Sequence, residues 1–388
     1  MSEKILKGIT WGHTRGLLPM QAIAQRFSEL HPGVDVLWQK RSLQEFADFP
    51  IEKLTDSFDL LVIDHPWVGT AAATQCVLPL DVYFKEDFLQ EQLESSVGFS
   101  HQSYNYANHQ WALAIDAAAP AASYRADLLA GDDQELPSNW QELLKWAAKG
   151  KVAVPAIPID LLMNFYSFCL AFGETPFSRE DQLVSVAVGV QALECMREFY
   201  SKVHSRFFSC NPIAVAEIMT KEDQYVYCPF AYGYSNYARE GYAKKRLVYR
   251  DVVELNGARL KTTLGGTGLA VSAKSNYPEL ALEFARFAAT PETQAGIYTF
   301  SGGQPGHAKA WENSGLNQLT ADFFKTLRPL MERSYQRPRY HGYLHFQDLA
   351  GNPLQEYLLG KLSVKEALRK MNSYYNESIQ LKNNKNGQ

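Results

Sequence analysis

Apolar positions in the first third of the chain switch between two periods. Ile5 to Trp11 is a short apolar run closed by Gly12, and Leu18, Ala22, Phe27 and Leu30 then recur at helical spacing until His31-Pro32-Gly33 stops them. Val34, Val36 and Trp38 alternate, predicting a strand over Val34 to Gln39. Leu43 to Leu54 returns to helical spacing. Phe58 to Ile63, apolar but for Asp59, is a run of the kind a strand covered on both faces requires. A β-α-β-α-β series of this sort predicts a parallel α/β sheet with right-handed crossovers.

Further along, Trp111 to Ile115 reads as a strand, and Asp116 follows it. Ala117 to Ala122 are small residues without helix caps, which suits a segment crossing between domains. Helices are predicted around Trp140 to Lys149, Leu161 to Phe172 and Leu183 to Tyr200, and strands over Val152 to Ile157 and Gln224 to Cys228. A Tyr-rich loop, Phe230 to Tyr242, precedes Leu247 to Leu255, which reads as a second crossing strand. Thr262 to Ser272 and the helix Pro278 to Ala289 return to the first domain. Phe300 to His307 reads as a further crossing, and Thr320 to Leu381 as helices with one loop at Pro338 to Leu344.

Length sharpens this picture, because 388 residues exceed what one core usually serves and imply two domains. With 46% apolar and 13% aromatic residues the chain can bury real cores, so disorder is excluded. The net charge is −4 with no long run of one sign, which leaves nucleic acid no electrostatic footprint. Apolar stretches such as Trp111 to Ala122 fall short of the ~20 residues of a membrane span. The amino terminus lacks the apolar core of a secretory signal, so a cytoplasmic protein is expected as written, or a periplasmic one whose leader has been removed. Cys76, Cys169, Cys195, Cys210 and Cys228 form no close CxxC pair; they read mainly as small buried apolar residues, with a single disulfide left open.

Four segments carry a family resemblance. Pro278-Glu279-Leu280-Ala281-Leu282-Glu283-Phe284-Ala285-Arg286-Phe287-Ala288 follows the glycine-bearing strand Leu264-Gly265-Gly266-Thr267-Gly268-Leu269-Ala270-Val271. Asp59-Leu60-Leu61-Val62-Ile63-Asp64, Ser301-Gly302-Gly303-Gln304-Pro305 and the helix-then-His-Pro-Gly-Val pattern of Phe27 to Val34 complete the set. In their order and spacing these resemble the extracellular solute-binding proteins of ABC transporters, the sugar-carrying type. That resemblance implies a periplasmic binding protein-like type II fold: two α/β lobes joined by crossing strands and closing on a ligand between them. Lobe 1 would be residues 1–116 plus 260–305, and lobe 2 residues 117–259 plus 306–388. It also implies a monomer that takes a small-molecule ligand, works with an ABC transporter permease and needs no cofactor.

Candidate site residues follow from a general rule, that ligands sit outside the carboxyl ends of strands in open parallel sheets. After the first strand come Trp11, Gly12, His13, Thr14 and Arg15, donors ahead of a helix amino end that attracts oxygen or anions; an exposed Arg and a capping Thr are the plainer alternative. Arg15 is expected to anchor an anionic group through its planar fork. After the third strand come Asp64, His65 and Trp67: a hydroxyl acceptor, a group titrating near neutrality, and a ring that can stack on a sugar. Asp64 could equally cap the next helix. Asp116 ends the fourth strand at the presumed hinge. Asp160, four residues before Asn164, is either a ligand contact or an N-cap. Tyr232, Tyr234, Asn236 and Tyr237 mix rings with polar tips, as a pocket wall or a packed core would. Arg339, Tyr340 and His341 lie on a loop able to close the far side, and Gly265 and Gly266 join the ligand-binding set although their run matches no specific motif.

No P-loop, HExxH, GxSxG or dinucleotide fingerprint is present, and no set of residues at metal-ligand spacing is confidently helical, so no metal is expected. Two readings remain. One is a module that clamps a sugar, polyol or organic acid. The other is a cytoplasmic, cofactor-independent lyase or isomerase on the same fold, with His13, Asp64, His65 and Asp116 as acid–base residues.

Overall fold

A computed structural model describes residues 4–43, 45, 49–129 and 135–384. Along the chain the principal strands are β1 (Lys4–Trp11), β2 (Val34–Arg41), β3 (Leu60–Ile63), β4 (Leu113–Ala118), β5 (Pro120–Tyr124), β6 (Tyr227–Tyr232), β7 (Val248–Arg250) and β8 (Gly265–Val271). The principal helices are α1 (Thr14–Leu30), α2 (Val68–Thr74), α3 (Trp140–Ala148), α4 (Pro158–Ala171), α5 (Val186–Tyr200), α6 (Pro212–Lys221), α7 (Pro278–Ala289), α8 (Phe323–Glu332), α9 (Tyr343–Leu358) and α10 (Val364–Asn384). Two compact units result. Unit 1 comprises Met1–Ala118, Leu264–Gln318 and Arg339–His341; unit 2 comprises Ala119–Thr263, Leu319–Pro338 and Gly342–Gln388.

Unit 1 is built on a five-stranded sheet in the order β2-β1-β3-β8-β4. β1 runs parallel to β2 and β3, while β8 is antiparallel to both β3 and β4. Every residue of β3 is buried, as its unbroken apolar run requires. Leu6, Met20, Ile23, Phe27, Leu60, Val62, Leu269, Val271 and Phe284 form the core under α1 and α7. α7 begins with Pro278 at its first position, where no N–H is needed, and buries Ala281, Leu282, Phe284, Ala285 and Ala288 on one face.

Unit 2 carries a three-stranded antiparallel sheet, β6-β5-β7. α4 is apolar around nearly its whole circumference and is accordingly buried, packed on α5 and α9. The five cysteines are free thiols, four buried and Cys195 partly so. Burial pushes each of them up, Cys195 and Cys228 to about 12.

Three expectations need correction. Val152 to Ile157 is buried but contributes only a bridge from Val152 to Tyr227, because Pro155 has no N–H to give a ladder and Pro158 already starts α4. Leu247 to Leu255 is not a crossing strand: β7 pairs with β5 inside unit 2, and Glu254 and Leu255 turn back in a short hairpin. Phe300 to His307 does not cross either. Pro305 bridges Asp116 and His307 bridges Ser96, so the chain stays in unit 1 as far as Gln318, and residues 306–318, expected in lobe 2, cluster with unit 1. The predicted helix Leu43 to Leu54 falls partly outside the described residues, and its described end is a helical turn, Ile51–Leu54.

Candidate functional site

The carboxyl end of the unit 1 sheet collects most of the expected residues and assigns several of them to structure. β1 ends at Trp11, which is buried in the core beside Met20 and Ile23 and offers no ring face for stacking. His13 is the N-cap of α1, its Nδ1 accepting from the Arg15 N–H at 3.0 Å. Thr14 opens the helix and, like His13, is half-buried.

Arg15 was expected to hold a ligand, and Asp116 to face one. The structure gives them to each other. Arg15 Nε donates to Asp116 Oδ2 at 2.8 Å and Nη2 donates to Oδ1, a two-bond fork between residues only 4% and 1% exposed. Burial pushes the Asp116 carboxyl up, while the Arg15 guanidinium and the Gln304 N–H pull it back toward the charged form. Gln304 also closes the strand around this pair: Ala117 N–H donates to its carbonyl at 3.0 Å and its Nε2 donates to the Ala117 carbonyl at 2.8 Å. Both the surface-Arg alternative and the ligand anchor therefore give way to a buried structural pair.

After β3, Asp64 caps a single turn, His65–Trp67, with Oδ1 accepting the His65 N–H at 2.8 Å. The His65 ring is buried, its Nδ1 3.2 Å from the same oxygen, and it meets Tyr104 edge-on at 6.4 Å. Trp67 is buried as well, so it is not a stacking platform, and its indole N–H finds no acceptor among the described residues. Gly265 and Gly266 serve strand pairing rather than a ligand. Gly266 has φ +107°, and a Cβ there would lie 2.2 Å from the Asp116 carbonyl oxygen. The neighbouring Thr267, opposite Asp116 in the β8–β4 register, was not singled out from the sequence; its buried hydroxyl is unpartnered among the described residues.

Arg339, Tyr340 and His341, expected in lobe 2, cluster with unit 1 instead, because their backbone packs on Gly69. The Arg339 guanidinium donates to the carbonyls of Gln102 at 3.1 Å, of Ser103 at 3.2 Å and of Asn105, and its charge sits 5.8 Å from the Tyr106 ring centre. His341 Nδ1 is 3.3 Å from the Thr70 hydroxyl. Of the expected residues in unit 1, His13, Thr14, Asp64, Gly266, Arg339, Tyr340 and His341 are left partly exposed.

In unit 2 the Tyr-rich segment is mostly interior. Tyr234, Asn236 and Tyr237 are buried around a short turn, Ser235–Ala238; Tyr237 OH donates to Glu217 at 2.9 Å, and the Tyr234 carbonyl accepts from Tyr249 OH at 3.1 Å. Tyr232 stays half-buried, its hydroxyl 3.0 Å from Thr263 Oγ1. A cavity of about 10 Å³ lies among Ser123, Met219, Cys228, Tyr232, Tyr234 and Tyr249. That is about the room one water needs, so no sugar ring fits. Asp160 is neither a cap nor a solvent-facing ligand. It is the third residue of α4, whose cap is Ile157, and it is 6% exposed with Oδ2 unpartnered among the described residues. Burial pushes its carboxyl up to about 8, so it is neutral at neutral pH. Asn164, one turn on, donates to Tyr200 OH at 2.9 Å instead. Among the described residues no group of three or more His, Cys, Asp or Glu side chains is placed to hold a metal ion.

The four expected acid–base residues thus have structural partners: His13 with Arg15 N–H, Asp64 with His65, and Asp116 with Arg15. Comparison with known proteins then decides the family. A model of the bacterial extracellular solute-binding proteins matches residues 22–322. The chain belongs to that family. Its fold is shared by solved solute-binding proteins of low sequence identity. The maltose-bound MalE3 of T. maritima superposes with a TM-score of 0.83 at 18% identity, over 95% of this chain and 98% of that one. The GacH receptor of Streptomyces glaucescens GLA.O, solved unliganded and with acarbose, gives 0.81 at 16% identity over 98% and 99%. A ribitol-bound solute-binding protein of an ABC transporter from Agrobacterium radiobacter K84 gives 0.81 at 17% identity over 98% and 99%. The expected two-lobe α/β fold is therefore the observed one. Among the described residues no helix is long and apolar enough to cross a membrane.

Proposed function

We propose that this protein binds a small hydroxylated solute, a sugar or polyol before an organic acid, outside the cytoplasmic membrane and delivers it to an ABC transporter permease. The observation that carries this reading is the family match over residues 22–322. The choice of solute class follows the similar structures, whose bound molecules are maltose, acarbose and ribitol. An organic acid ranks lower because Arg15, the obvious carboxylate anchor, is committed to Asp116. Each unit taken by itself offers partly exposed polar groups for such a solute: His13, Thr14, Asp64, Tyr340 and His341 on unit 1, and the half-buried Tyr232 on unit 2.

Calorimetry and thermal-shift titration of the full chain with maltose, longer maltodextrins, ribitol, tagatose and a set of dicarboxylic acids test the reading. Binding of one carbohydrate class, weakened at least about tenfold by Asp64→Ala or Tyr232→Ala, is the expected result. A well-folded sample that binds no carbohydrate, or binds one unaffected by both substitutions, overturns the solute class or the surface respectively. The lyase or isomerase reading is not carried forward, because its acid–base residues are engaged in caps and a buried ion pair.

A further inference from the structure

Residues 339–341 belong to unit 1, although the chain before and after them, Leu319–Pro338 and Gly342–Gln388, belongs to unit 2. The way these three residues are seated within unit 1 is specific. Their backbone lies on Gly69, the second residue of α2. A Cβ at that position would fall 1.9 Å from the Arg339 carbonyl oxygen and 2.6 Å from the Tyr340 carbonyl carbon. No other residue type fits under the segment without displacing main chain.

The side chain above this seat is held just as closely. Arg339 reaches the carbonyls of Gln102, Ser103 and Asn105 through Nη1 alone, an atom one bond further from the backbone than a lysine nitrogen extends. His341 meets the Thr70 hydroxyl one residue beyond Gly69. Both flanks are tied down inside unit 2. Arg337 Nη1 donates to Gln347 Oε1 at 2.8 Å, and Gly342 turns the chain into α9 at φ +105° where a Cβ would be 2.5 Å from the Ser378 carbonyl oxygen. The lent residues themselves bury no apolar side chain fully: Arg339, Tyr340 and His341 are all half-buried. Polar clasps with little apolar burial belong to the low end of a molecule's range of local stabilities.

We infer that residues 339–341 are a detachable strap, fastened to unit 1 by Gly69 and the Arg339 guanidinium, which opens without unfolding either unit. Fastened, the three residues are part of unit 1; released, they are a loop between Pro338 and Gly342, both of unit 2. The inference is independent of which solute the protein takes.

Trypsin reads the strap directly on the full chain. The Arg339–Tyr340 bond is a trypsin site, whereas the Arg337–Pro338 bond resists cleavage because proline follows the arginine. Gly69→Ala forces the strap backbone off its seat, and Arg339→Lys keeps the cleavage site on a side chain one bond shorter, which no longer reaches the three carbonyls. Each should raise the rate of cutting after Arg339 by about tenfold or more, with the melting temperature and cutting at other sites near those of the parent protein. If Gly69→Ala does not fold, Arg339→Lys alone decides the matter. Unchanged cutting after Arg339 in the folded variants overturns the inference, as does cutting that rises equally at sites throughout both units.

Discussion

Asp116 in β4 of unit 1 and Asp160 in the first turn of α4 of unit 2 are both buried carboxyl groups, and they differ in one neighbour. Asp116 has the Arg15 fork and remains half of an ion pair; Asp160 has Tyr200 and Cys228 nearby, no cation beside it among the described residues, and keeps its proton. A buried charge that is neither paired nor neutralised is too costly to keep, and each unit uses one of the two remedies. The remedies fail differently. Removing one member of a pair strands the other, whereas a neutral acid is harmed only when pH strips its proton.

The largest expected effect is therefore at the pair. Arg15→Ala should cost roughly 3–5 kcal/mol of stability in urea unfolding, because Asp116 is then buried without a counter-charge. The double replacement Arg15→Met with Asp116→Leu should recover much of that loss. If Arg15→Ala melts like the parent protein, the pair is not what holds this end of the sheet.

At Asp160 the effect is smaller and depends on pH. Its folded value of about 8 lies above the ordinary 3.8, so the folded state binds the proton more tightly and stability falls as pH rises between those two values. Asp160→Asn, which cannot ionise, should remove this slope, gaining about 2 kcal/mol on the parent protein between pH 5 and pH 7. Unfolding curves at a series of pH values check it, and parallel stability profiles for the two proteins would contradict it.

Smallest of all is the exposed pair Lys309–Glu292, at 3.4 Å. Lys309→Ala should change stability by less than about 0.5 kcal/mol. A larger loss would mean that solvent exposure does not separate this pair from Arg15–Asp116.

Much of this architecture was legible in the sequence, and the residues show why. α7 buries one face, so its period is readable, and β3 has no polar position at all. In α1 the helix is legible but not its face, since Leu18 and Leu30 of the expected set are exposed while Met20, Ile23 and Phe27 are buried. Apolar pattern says that a strand is buried but not in which sheet, and so Leu247 to Leu255 and Phe300 to His307 read as crossings that the structure does not make. The site was legible as residues and not as partnerships. Arg15 and Asp116 were both picked out, yet they are 101 residues apart and nothing in either neighbourhood names the other. Gly69 carried no signal whatever, since a glycine in a run of small helical residues looks idle until another segment is laid across it.

The five thiols have a practical consequence. A thiol held at about 12 is ionised in only about one molecule in a hundred thousand at neutral pH, and the thiolate is the form that alkylates or exchanges. Folded, the protein should be almost inert to iodoacetamide; opened, it presents all five sulfurs at their ordinary reactivity. The mass added per molecule then counts exposed thiols directly, and its growth with time is a clock for opening. Three of the five, Cys169, Cys195 and Cys228, lie on α4, α5 and β6 at the heart of unit 2, and Cys76 follows α2 in unit 1. One labelling time course, read peptide by peptide, would therefore time the two units separately without any engineered probe.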